Sequence, residues 1–161
     1  MSKSGFFTAL TLCASLSYLA AQEPVPSWTL ARRATDQVVT VRKDMTIETL
    51  AGLLGPYDRK QAGDGDAASY TWKVDGKDAV HASFRNGVIT FIRLTSDAYS
   101  CDGLYPGLVY SDVIAALGPP SSETGAGMYI RMTYRDKKMR LDYLPADRRV
   151  KNLFMDFFEY Q

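Results

Sequence analysis

The sequence predicts an α+β fold of two tandem units, each a short helix followed by a three-stranded antiparallel meander. Three observations carry that expectation. The stretch "DMTIETLAGLLGPY" (44–57) aligns without a gap on "GLVYSDVIAALGPP" (107–120). Both copies set apolar residues at i, i+3, i+4 and i+7, the stripe of a helix with one buried face: Ile47, Leu50, Ala51 and Leu54, then Tyr110, Val113, Ile114 and Leu117. Each copy is then followed by alternating, β-rich segments broken by turn residues.

Taken in chain order, the first element is not part of the fold. Lys3 precedes an uncharged run to Ala21 that ends in small residues, the layout of a signal peptide cut after Ala21. The run is too short and too rich in Ser and Thr to be read as a membrane span. A lipid-bearing cut before Cys13 is disfavoured, because Leu12 stands where a small residue is wanted and the leader would be only twelve residues long. Residues 22–37 read as an N-terminal leader segment, 38–95 as the first unit, 96–106 as a connector and 107–161 as the second unit.

Within the first unit Thr46 is placed to cap its helix, and Gly55 and Gly118 stop both helices where the chain must turn left-handed, each followed by proline. The strands "SYTWKV", "DAVHASF" and "VITFIRL" are separated by Asp75-Gly76 and Asn86-Gly87, the strongest short-range hairpin signals. In the second unit "MYIRMTY", "MRLDYL" and "VKNLFMDFF" are separated near Asp136-Lys137 and Asp147-Arg148. Alternation puts Tyr70, Trp72, Ala82, Phe84, Met132, Tyr134, Met139 and Leu141 toward the helices. The opposite face then carries Lys73, His81, Arg85, Tyr129, Arg131 and Arg140.

The two helix segments resemble the G-M-T-x-x-x-V-x-x-x-L-G-x-P signature of the SmpA/OmlA (BamE-type) outer-membrane assembly lipoproteins and of the β-lactamase inhibitory protein fold, over roughly residues 38–158. Asp44 replaces the motif glycine in the first copy, and Val109 replaces the capping threonine in the second. The resemblance implies a helix packed on an antiparallel sheet in each unit, and work done by protein contact through a sheet surface.

Composition and motifs narrow the function classes. Beyond Ala21, eighteen Lys and Arg balance eighteen Asp and Glu, so the basic excess of a nucleic-acid-binding domain is missing. Residues 131–151 hold eight basic and three acidic residues, a run that would draw an acidic partner or an anionic surface, although the interspersed Asp136, Asp142 and Asp147 favour an ordinary charged strand surface. No nucleophile elbow, zinc-spaced histidines, phosphate-cradling loop or dinucleotide fingerprint occurs, and no cofactor is expected. Only Cys101 survives signal cleavage, and His81 is the single histidine, so an enzyme would have to be built around that pair.

The expectation is an exported, non-catalytic protein-binding module of inhibitor or immunity type, periplasmic or secreted, acting on another protein and on no nucleic acid. An envelope assembly factor is the alternative, and an enzyme at Cys101 and His81 the second alternative. The candidate contact residues are Lys73, His81, Arg85, Tyr129, Arg131 and Arg140 on the outer sheet face, with Tyr99 and Tyr105 at the junction between units.

Overall fold

The computed structural model describes residues 25–158, so the signal-peptide and Cys13 readings lie outside the described residues. The chain runs β1 (Ser27–Arg32), β2 (Val38–Arg42), α1 (Ile47–Leu54), β3 (Arg59–Ala62), β4 (Ala67–Val74), β5 (Lys77–Arg85), β6 (Val88–Leu94), β7 (Tyr99–Cys101), α2 (Tyr110–Leu117), β8 (Ser122–Ala126), β9 (Tyr129–Tyr134), β10 (Met139–Leu144) and β11 (Arg149–Asp156). Eight strands form one antiparallel sheet in the order β3-β4-β5-β6-β11-β10-β9-β8, and β2-β1-β7 form a second, smaller one.

This corrects the expected fold class. The molecule is mostly β, not an α+β pair of separate helix-plus-meander units. The decisive pairing is β6 with β11, where Arg93 sits opposite Phe154 and Phe91 opposite Asp156, so strands from the two halves of the chain hydrogen-bond into one continuous sheet. Two further strands carry no apolar alternation. β3 is exposed throughout and β8 nearly so, and both lie at the edges of the large sheet, where polar residues discourage pairing with another chain. The small sheet joins β1 to β7, pairing Leu30 with Cys101 across about seventy residues of sequence.

The two helices behave as the stripes dictate. Leu50 and Val113 are fully buried, with Ile47, Leu54, Ile114 and Leu117 packed partly against the same core. Thr46 accepts the Thr49 N–H at 3.3 Å and caps α1. Val109 offers α2 no such side chain; instead the Tyr110 N–H donates to Arg148 O at 2.8 Å, tying the helix start to the β10–β11 turn. Gly55 (φ 91, ψ 177) and Gly118 (φ 78, ψ −171) end the helices in backbone that only glycine adopts readily, because the following proline demands an extended ψ. Their carbonyls are met by the sheet: Trp72 Nε1–H donates to Gly55 O at 2.8 Å and Tyr134 Oη–H to Gly118 O at 3.1 Å.

Asp75-Gly76 and Asn86-Gly87 both have two successive positive φ values, the signature of tight hairpin turns whose twist matches the strands. These turns fix the alternation. Tyr70, Trp72, Ala82, Phe84, Met132, Tyr134, Met139 and Leu141 join one core with Leu30, Val39, Val41, Tyr99 and Cys101 of the small sheet.

Candidate functional site

The face of the large sheet turned away from the helices is polar but far from fully solvated. Reading across β3, β4, β5, β6, β11 and β10, the register aligns Arg59, Thr71, His81, Arg93, Phe154 and Arg140 in one row. Asp142 and Asp156, on the same face, are buried, and Asp156 is 0% exposed. A carboxylate at that depth is tolerated only when paired and hydrogen-bonded. Both are: Arg131 reaches Asp142 through two bonds of 2.6 and 2.8 Å, and Arg140 reaches Asp156 through two of 2.7 and 2.6 Å.

Phe154 sits under a ring of cations. The guanidinium carbons of Arg140, Arg131 and Arg93 lie 4.7, 5.0 and 5.9 Å from its ring centroid, within the range of cation–π attraction. Phe91 packs edge-on against the same ring at 5.9 Å. Of the three arginines only Arg93 has no carboxylate at ion-pair distance among the described residues, and its Nε–H is buried without an acceptor. Burial depresses its pKa, opposed by Asp142, Asp78 and Tyr129; a guanidinium nevertheless stays charged at neutral pH.

Beside Arg93 the sheet opens a pocket of about 190 Å³ lined by Arg59, Gln61, Ser69, Thr71, His81, Ser83, Phe91 and Arg93. His81 is 9% exposed. Its Nδ1 shares a hydrogen bond of 2.9 Å with Thr71 Oγ1, while Nε2 lies 3.9 Å from Asp78 Oδ2, too far to bond. Burial, reinforced by the charge of Arg93 and less so of Arg59, lowers its pKa to about 4 against the pull of Asp78. At neutral pH the ring is uncharged. Asp78 is engaged by Arg59 at 2.8 Å.

The structure thus gathers His81, Tyr129, Arg131 and Arg140 on one face and scatters the other candidates. Lys73 and Arg85 are exposed near the ends of β4 and β5; the Lys73 N–H donates to Asp58 Oδ2 at 2.7 Å, beside an irregularity in the β4–β5 pairing. Tyr99 is buried in the small sheet, where burial raises its pKa. Tyr105 lies beneath the Arg33 guanidinium at 3.8 Å. Cys101 is fully buried in β7, its thiol pushed up to about 12 mainly by burial, so it holds a proton rather than acting as a nucleophile. It belongs to the small sheet and His81 to the large one. Sequence reading missed Arg93, Phe91 and Phe154; the signal was the alternation of "VITFIRL" and "VKNLFMDFF", whose polar-side members were left unassigned.

No group of three or more His, Cys, Asp or Glu able to hold a metal occurs among the described residues. No helix among them is long and apolar enough to cross a membrane. No family model and no curated protein matches the chain. Among solved structures it is similar to the DUF4309 family protein YjgB of Bacillus subtilis, at 16% identity and a TM-score of 0.50 over 70% of this chain and 78% of that one. That likeness concerns the fold. Weaker likenesses are to an extracellular SCP-domain protein of Bacillus anthracis (11% identity, TM-score 0.49, 69% of this chain) and a candidate β-lactamase inhibitor protein of Streptococcus mutans (20%, 0.32, 68% of this chain and 80% of that one). The chain spans only 43% of the SCP-domain protein, and neither likeness is strong enough to assign a role.

Proposed function

We propose that this chain is an exported, non-catalytic binding protein that contacts another protein through the outer face of its eight-stranded sheet. The observation that carries the reading is the Phe154 cluster: an aromatic ring ringed by three guanidinium groups, beside a pocket with an unpaired cation. Aromatic and arginine side chains held rigidly over a large surface are the usual anchors of protein contact. Export rests on the leader pattern of residues 1–21. The inhibitor or immunity version and the assembly-factor version both rest on the resemblance of the helix motifs.

The test is retention of a partner by immobilised protein from envelope and culture extracts. Wild type and Leu53→Glu, altered on the exposed side of α1, retain the same dominant protein, and Arg93→Glu loses it. Equal retention by all three moves the contact elsewhere, and retention of nothing at low and physiological salt removes the binding-module reading.

A further inference from the structure

Resting on the reading of the outer face as a binding surface, we infer that the pocket between β3 and β6 receives one carboxylate group, held by the Arg93 guanidinium and the hydroxyls around it. Charge matching on this face points there. Asp142 is taken by Arg131, Asp156 by Arg140 and Asp78 by Arg59, each at 2.8 Å or less. Among the described residues Arg93 is left with an Nε–H that has no acceptor. A guanidinium fork matches a planar carboxylate through two parallel hydrogen bonds.

The lining suits a monoanion on a short carbon stem. Ser69, Ser83, Thr71 and Gln61 bring polar groups, Phe91 brings an apolar wall, and no carboxylate among the described residues borders the pocket. Inorganic phosphate carries between one and two negative charges at neutral pH and gains most from a second free cation, yet Arg59 is already matched by Asp78 and His81 is neutral. The volume of about 190 Å³ admits a carboxylate with a few carbons.

His81 is the sole histidine and faces the pocket, so it reports occupancy directly. Tag-free protein at pH 7 is titrated with sodium acetate, and separately with sodium chloride at matched ionic strength, while the Arg93 Nε–H and His81 ring signals are followed by NMR. Acetate produces saturable shifts and chloride does not. Arg93→Gln weakens the acetate response by about tenfold or more, as does Ser83→Leu, which fills the pocket and keeps the guanidinium; circular dichroism confirms folding, and Ser83→Leu decides if Arg93→Gln unfolds. A second arm uses acetylated, amidated Gly-Glu-Gly: tighter binding than acetate assigns the site to an acidic side chain of a protein, and weaker binding to a small free carboxylate. Linear shifts, equal shifts with chloride, an unchanged response in the folded variants, or tighter binding of inorganic phosphate overturn the inference. Failure here leaves the partner-retention result standing, and failure of retention leaves this titration standing.

Discussion

The outer face of the large sheet treats its charges in two ways. On β9, β10 and β11 the arginines and aspartates close on one another in two-pronged pairs, Arg131 with Asp142 and Arg140 with Asp156. On β6, Arg93 lines a pocket, and its buried Nε–H has no acceptor among the described residues. The difference separates charge that holds the sheet from charge that is available to a ligand. A paired buried carboxylate is locked in place, because losing either partner strands the other away from water. An unpaired arginine does no such structural work, and its burial is a cost that a ligand can relieve.

The comparison breaks most visibly at Asp156. Asp156→Ala strands the Arg140 guanidinium and lowers unfolding free energy by about 3 to 5 kcal/mol, read from urea melts. Arg93→Met, on the open half, changes the same melts by less than about 1 kcal/mol, since it removes an unsatisfied buried donor along with its contact to Phe154. A large loss in Arg93→Met would place that arginine with the structural pairs.

The next effect is one of pH. His81 in the folded protein has its pKa lowered to about 4 from an ordinary value of 6.5. Between those values the unfolded chain binds the proton and the folded chain does not, so stability is greatest above pH 6.5 and falls as pH drops toward 4 and through it. A shift of this size is worth roughly 3 kcal/mol in total. In His81→Gln, melts at stepped pH lose that part of the slope across the same window, and an unchanged slope places the acid sensitivity in the carboxylates. The smallest effect belongs to the helix side. Tyr134→Phe removes the bond to Gly118 O and costs about 0.5 to 1.5 kcal/mol in the same melts, with no change in partner retention.

How much was legible in the sequence follows from how local each signal is. The helix stripes, the Thr46 cap, the glycine stops and the Asp-Gly and Asn-Gly turns depend on neighbours within a few residues, and the structure holds each of them. The joining of β6 to β11 and of β1 to β7 depends on residues some sixty to seventy apart, for which no local pattern speaks. Edge strands β3 and β8 could not be read because their sequences, RKQA and SETGA, have no buried face to alternate. For the contact surface, alternation placed His81, Tyr129, Arg131 and Arg140 on the outer face. It could not show which arginines were already paired, since that is decided by cross-strand register.

The most direct test of the account is one variant read twice. Arg93→Met is measured for stability in urea and for retention of the partner that the wild-type protein captures. The account predicts a melt within about 1 kcal/mol of wild type together with loss of the partner. A stability loss approaching that of Asp156→Ala, or a stable variant that retains the partner as wild type does, would contradict it.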